Sequence, residues 1–118
     1  MKENLIQQKS HKFALEIIGL YKFLVEKKKE FILSKQLLRS GTSIGANVEE
    51  AIGGQSKKDF ISKLSIAYKE ARETRYWLSL LVESGYLNND EISNILTQNE
   101  EILKIIGAIQ KTIKDKNE

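Results

Sequence analysis

The feature that most constrains the fold is the absence of proline from all 118 residues, combined with apolar residues that recur every three or four positions. Proline kinks or ends a helix, so a chain without it can form long uninterrupted helices. Apolar residues three and four apart lie on one face of an amphipathic helix. No run alternates between apolar and polar residues as a half-buried strand would. The sequence therefore predicts an all-α fold.

Glycines and polar clusters divide the chain into four predicted helices. The first runs from about Leu5 to Lys28 and the second from about Ser34 to Ala51. The third begins after Ser56, whose hydroxyl can cap the first free amides, and it ends at Gly85, which accepts left-handed geometry. The fourth follows a capping box that Asn88 forms with the glutamate three residues later.

Short connections between helices of this length make neighbours antiparallel, which predicts an up-down-up-down four-helix bundle. The chain length fits a single domain over residues 1–118. Asn99 falls within the apolar stripe of the fourth helix, so we expect it to be buried and hydrogen-bonded. The predicted core comprises apolar residues at helical spacing: Phe13, Ile17, Leu24, Leu37, Ile44, Val48, Phe60, Leu64, Ala67, Leu78, Leu96, Leu103 and Ile106.

The composition excludes several kinds of site. The chain has no cysteine, which removes disulfides, thiolate catalysis and cysteine-based metal sites and suits a cytoplasmic location. Its single histidine, His11, rules out the paired Glu-x-x-His motifs of di-iron bundles. No apolar run approaches the roughly 20 residues that cross a membrane. We therefore expect no catalytic residue, metal, other cofactor or small-molecule substrate, and no membrane partner.

The second helix is unusually poor in charge. Between Gln36 and Val48 its one charged residue is Arg39, and Gly41 and Gly45 allow a neighbouring backbone to approach closely. Two explanations are open: the helix lines a subunit interface, or it packs tightly within its own bundle and has a weakly polar outer face. The candidate interface residues on this helix are Gln36, Arg39, Ser40, Ser43 and Asn47.

The third helix offers a matching stripe of candidate interface residues, Glu70, Glu73 and Trp77. If this stripe is covered, its two carboxylates need a cation or hydrogen-bond donors. Side chains of the second helix such as Arg39 can supply them, within the subunit or across an interface. Alternatively, the two glutamates form exposed pairs with basic residues of their own helix, which would contribute a few tenths of a kcal/mol.

The charge balance is mildly basic, with a net charge of +3. The densest basic run is Lys27-Lys28-Lys29, although lysine-rich helices are commonly just solvated. If the chain binds nucleic acid, the candidate residues are its clustered lysines: Lys9, Lys12, Lys27, Lys28, Lys29, Lys57 and Lys58.

Two strings of the sequence resemble a known family. The string from Gln36 to Glu50, with Arg39, Ser43 and Asn47, and the string from Asp59 to Thr74 are similar to the bacterial four-helix-bundle family first associated with intervening sequences in 23S ribosomal RNA genes. The resemblance covers nearly the whole chain. One departure is that the family often has Glu-Gly where this chain continues with Val48 and two glutamates.

The resemblance implies a closed bundle that assembles as a ring, typically a homopentamer. A related branch, the accessory variability determinant of diversity-generating retroelements, is a basic pentamer that works with a reverse transcriptase and its RNA. The family itself is largely without an assigned biochemical activity.

We therefore expect a noncatalytic homo-oligomeric scaffold that binds RNA or a nucleic-acid enzyme through repeated lysine patches. One alternative is a structural assembly with an unknown protein partner. The other is an enzyme that uses Arg39, Glu70 and Glu73 in a pocket between helices.

Overall fold

A computed structural model describes the backbone of residues 2–117 and the side chains of residues 5–116. It contains four α-helices and, within the described residues, no strand. The helices are α1 (Lys2–Glu26), α2 (Leu33–Ile52), α3 (Lys57–Glu83) and α4 (Asn89–Asn117). The predicted all-α four-helix fold is confirmed.

Contacts between side chains show that neighbouring helices are antiparallel. Gln7, near the start of α1, donates a hydrogen bond to Glu49, near the end of α2, at 2.8 Å. Arg75 of α3 and Glu100 of α4 form an ion pair at 2.9 Å. Each helix packs against two neighbours, so that α1 lies diagonally opposite α3 and α2 lies diagonally opposite α4. The result is an up-down-up-down bundle that measures 48 × 22 × 20 Å.

The core follows the predicted apolar stripes with two exceptions. Phe60 and Leu96 are partly buried and pack against the edge of the core, whereas the other predicted core residues are buried. Asn99 is fully buried, as predicted, and its Nδ2 donates to the carbonyl of Ala71 at 3.0 Å. Its Oδ1 is buried without a hydrogen-bond partner among the described residues.

Glycines in α2 allow α1 to pack closely against it. A Cβ on Gly41 would lie 2.8 Å from two side-chain carbons of Ile17, and a Cβ on Gly45 would lie 3.3 Å from the carbonyl oxygen of Ser10. The predicted close approach of a neighbouring backbone is therefore confirmed at Gly45, whereas at Gly41 the neighbour is a side chain; both neighbours belong to α1 of the same chain.

The turn between α1 and α2 is held by a buried carboxylate. Glu30 is 7% exposed, and its carboxylate accepts hydrogen bonds from the backbone amides of Ile32, Leu33 and Ser34 at 3.1, 3.0 and 2.6 Å. Burial raises the pKa of Glu30, but the hydrogen bonds together lower it by more than burial raises it. The pKa of the carboxyl therefore lies below its ordinary value. α1 ends at Glu26, two residues before the predicted position.

The remaining connections follow the predicted capping chemistry. The Ser56 hydroxyl accepts a hydrogen bond from the amide of Asp59 at 3.0 Å. Asn88 and Glu91 exchange two side-chain-to-backbone hydrogen bonds, each of 2.8 Å. Gly85 has a φ of +89°, which is left-handed geometry that L side chains rarely adopt.

Candidate functional site

The main polar cluster lies where α2 packs against α3, and Arg39 is at its centre. Its Nη1 donates to Glu70 at 3.1 Å, and its Nη2 is in close contact with a carboxylate oxygen of Glu73. Its Nε donates to Gln36 at 3.3 Å. The interpretation that Arg39 can supply a cation to these two glutamates is confirmed, and the pairing lies within the subunit. The alternative pairing along α3 is wrong, because both glutamates pair with Arg39 of α2 and because Arg75 pairs with Glu100 of α4.

This cluster is half-covered by the bundle itself. The side chains of Arg39, Glu73 and Glu70 are 48%, 34% and 17% exposed. Trp77 donates its indole N–H to Glu73 at 2.9 Å, and its ring lies 5.2 Å from that of Tyr76, centroid to centroid. The charges are therefore paired and held at the surface, beside an aromatic ring that is only partly buried.

Ser40 does not lie on this surface, contrary to its prediction as an interface residue. It is fully buried, and its hydroxyl oxygen lies 2.9 Å from that of Thr74, which also donates to the carbonyl of Glu70 at 2.8 Å. The side of α2 that carries Ser40 faces α3 of the same chain, so this serine is unavailable to a second subunit. The packing of α2 within its own bundle thus explains part of its low charge.

The other predicted residues of α2 and α3 share one surface. Ser43 and Asn47 are half-buried, and the Asn47 side chain donates to the carbonyl of Ser43 at 2.9 Å. One turn further along, Glu50 pairs with Lys63 of α3 at 3.1 Å, which shows that this side of α2 faces α3. We call this surface the α2–α3 seam, formed by Gln36, Arg39, Ser43, Asn47, Glu70, Glu73 and Trp77.

The candidate lysines do not form one patch. Lys9 pairs with Glu101 of α4 at 3.2 Å, and Lys12 lines the same groove between α1 and α4. The exposed lysines 27–29 lie at the end of the bundle that carries the α1–α2 turn. Lys57 and Lys58 begin α3 and therefore lie at the opposite end of a molecule 48 Å long. One subunit thus presents three separate basic groups.

The polar groups of the seam are engaged mainly with one another. The guanidinium of Arg39 is engaged by Gln36, Glu70 and Glu73, and Glu73 also accepts from Trp77. General acid–base catalysis needs a group positioned to exchange a proton with a substrate, and here the polar groups are engaged with one another. No cluster of three or more possible metal ligands occurs within the part of the chain that the structure describes.

Two features were missed by the predictions. Thr74 lies in the α3 core stripe, at the spacing of three and four shared by Ala71 and Leu78, which is a signal that could have placed it opposite α2. Glu30 gave no comparable signal, because it ends a run of charged residues that resembles a solvated segment.

In the described residues, no helix is both long and apolar enough to span a lipid bilayer.

Comparisons with known proteins agree with this architecture. A family model described as 23S rRNA-intervening sequence protein matches residues 2–108. The chain is similar to a crystal structure of a protein of unknown function from the S23 ribosomal protein family of Bacteroides thetaiotaomicron, with 52% identity and a TM-score of 0.92. That match covers 94% of this chain and 99% of the other. Among curated proteins, no relative matches the chain.

Proposed function

The chain belongs to the 23S rRNA-intervening sequence protein family, and the Bacteroides protein that it resembles is of unknown function, so we propose a function from the surface of the chain: a noncatalytic homo-oligomeric scaffold. The subunits form a ring of five in which the α2–α3 seam contacts the neighbouring subunit. The observation that carries this proposal is the seam itself, where the one charge in the middle of α2 is already paired with carboxylates of the same subunit.

Prior pairing matters because covering an isolated charge is costly. Covering a charge that keeps its hydrogen bonds costs less free energy than covering a charge that has no partner. Arg39 keeps Glu70 and Glu73, and the indole of Trp77 keeps its acceptor, whether or not a second subunit covers them. Arginine and aromatic side chains are also enriched at the centres of protein interfaces.

The oligomer is tested by measuring its mass in solution. Light scattering at micromolar concentration should give five times the 13.5 kDa of one chain. Ser43→Arg and Asn47→Arg each place an unpaired charge in the seam and should dissociate the ring without loss of helix content. The matched control is Ser93→Arg, on an exposed position of α4, diagonally opposite α2. A 13.5 kDa monomer for the unmodified chain would refute the ring.

RNA binding is a second candidate function, favoured by the three basic groups that a ring would repeat around its axis. Each subunit has a net charge of only +3, so affinity for RNA depends on several subunits acting together. Binding to structured RNA should then fall steeply as salt rises from low to physiological concentration. No binding at low salt would remove this candidate and leave assembly with an unknown protein partner.

Two of the three basic groups can be tested separately for RNA contact because they lie at opposite ends of the bundle. Lys27→Glu, Lys28→Glu and Lys29→Glu together alter one end, and Lys57→Glu with Lys58→Glu alters the other. The set whose replacement weakens binding, with the oligomer intact, identifies the end that the RNA contacts.

A further inference from the structure

One end of the bundle exposes two large apolar side chains on a turn that is held rigidly. Phe31 is 54% exposed and Ile32 is 77% exposed. The clamp by the Glu30 carboxylate fixes this turn, and Lys29 is held at a φ of +55°, an uncommon conformation for a residue other than glycine. The two apolar side chains are thus presented outward by a fixed backbone, not by a loose loop.

The charges at this end are divided between its two turns. Residues 26–35, around the α1–α2 turn, carry four lysines and two glutamates, and one of these glutamates is the buried Glu30. Residues 83–91, around the α3–α4 turn, carry three acidic residues and no basic residue. Tyr86, on the acidic turn, is 37% exposed. Since α1 lies diagonally opposite α3, the two turns cover opposite sides of the same end.

We propose that this end of the bundle binds the same end of a second copy of the chain. A twofold axis along the boundary between the two turns lays the basic turn of each copy on the acidic turn of the other. Both charge pairings are then favourable, and Phe31 and Ile32 lie against the side of the partner copy that carries the acidic turn. A twofold contact of this kind is self-complementary and closes on itself.

The divided charge favours a second copy over other partners. RNA and anionic membranes attract the lysines, but the acidic turn beside them repels both. A second copy is the partner for which both turns are complementary. The contact lies outside the α2–α3 seam, so it does not depend on the proposed ring. It would leave Lys57 and Lys58, at the opposite end, outside the contact.

The size of this end predicts a reversible contact. The bundle is 22 × 20 Å in cross-section, so one end can cover roughly 400 Å² per copy, about half of what a standard stable interface covers. Single subunits should therefore pair only at high concentration. If the subunits form rings, several such contacts act together and two rings associate at lower concentration.

The test is a pair of charge-reversed variants that fail alone and pair with each other. The first variant carries Lys27→Glu, Lys28→Glu and Lys29→Glu, and the second carries Glu83→Lys and Asp90→Lys. Sedimentation of the unmodified chain at rising concentration should show its mass doubling, and each variant alone should need at least a tenfold higher concentration. In an equimolar mixture of the two variants the sedimenting mass should again double at the lower concentration, because an acidic end of one variant then meets a basic end of the other.

Controls separate this contact from the ring and from general charge effects. Replacing Lys111, Lys114 and Lys116 with glutamate makes the same charge change at the opposite end and should leave the doubling intact. In the Ser43→Arg background the doubling should persist, as dimers of single chains, even if the ring is lost or never forms. Phe31→Ser with Ile32→Ser should abolish it without changing any charge.

Three results would overturn the proposal. The first is a mass that does not rise with concentration in the unmodified chain, and the second is a mixture of the charge-reversed variants that fails to double. The third is a mass that still doubles after Lys27, Lys28 and Lys29 are replaced with glutamate, while RNA binding is lost. That result would assign this end of the bundle to RNA instead of a second copy.

Discussion

The two turns at one end of the bundle reverse the chain by different means. The α1–α2 turn buries a carboxylate, Glu30, beneath three backbone amides and places Lys29 in left-handed geometry. The α3–α4 turn uses Gly85 for its left-handed position, and the Asn88 and Glu91 side chains of its capping box are exposed.

The difference separates a turn that depends on the core from one that depends on local sequence. Glu30 also anchors the turn through its own backbone, since its amide donates to Leu24 and its carbonyl accepts from the Ser34 hydroxyl. Leu24 and Ser34 are both fully buried. The capping box of Asn88, by contrast, is in contact with water, which can replace a lost hydrogen bond. Damage to the first turn should therefore destabilise the whole bundle, and damage to the second should remain small.

The largest expected effect is that of Glu30→Ala. The change leaves the amides of Ile32, Leu33 and Ser34 without their acceptor, and hydrogen bonds to a charged group are worth more than neutral ones, so we expect a loss of about 3 kcal/mol in the free energy of unfolding. Urea denaturation followed by circular dichroism measures it.

The matched comparison is Glu91→Ala, which removes a carboxylate from the exposed cap of α4. Its expected cost is about 0.5 kcal/mol. Equal losses in the free energy of unfolding for the two variants would show that the buried and exposed carboxylates contribute alike. That result would contradict the proposed difference between the two turns.

The second prediction concerns pH and the charge of Glu30. Because its pKa is lower in the folded chain than in the unfolded one, the unfolded chain binds more protons on acidification. The stabilisation is present above the unfolded pKa of about 4.3 and is lost as the pH falls through the lower folded pKa. Glu30→Gln should therefore be less stable near neutrality but lose less stability below about pH 4.3. Parallel stability curves for the two proteins would contradict this.

The sequence predicted the second turn and missed the first for a physical reason. Asn88 and Glu91 are three residues apart, and their reciprocal hydrogen bonds are determined by that spacing alone. The role of Glu30 depends on the left-handed backbone of Lys29 and on burial by the helices, neither of which is visible in a run of three lysines and a glutamate.

The same limit applies to the α2–α3 seam. The antiparallel order of the helices made Arg39 a reasonable partner for Glu70 and Glu73, and the structure confirms it. A stripe of small polar residues, however, is equally compatible with an interface between subunits and with packing inside one. Ser40 packs inside one subunit because the Thr74 hydroxyl lies against it. That contact depends on the register of α2 against α3.

The third prediction tests the glycine of the second turn. Gly85→Ala forces a Cβ into left-handed geometry at a φ of +89°, although the space around it is open. We expect a loss of about 1 kcal/mol in the free energy of unfolding, all of it due to the backbone. Gly19→Ala is the control, because Gly19 lies within α1 and a Cβ there also meets nothing within 4 Å. That control should gain up to about 1 kcal/mol.

The smallest expected effect is that of Lys29→Gly in the first turn. Glycine removes the left-handed penalty of roughly 1 kcal/mol that Lys29 pays at a φ of +55°. It also gives the unfolded chain more freedom, which costs about 0.4–1 kcal/mol, so the net gain should be at most a few tenths of a kcal/mol. Lys28→Gly is the control, because position 28 has no positive φ. The difference between the free energies of unfolding of the two variants, measured by denaturation, isolates the backbone contribution at position 29. A loss as large in Lys29→Gly as in its neighbour would mean that the first turn stores no strain at Lys29 and that the carboxylate of Glu30 alone distinguishes the two turns.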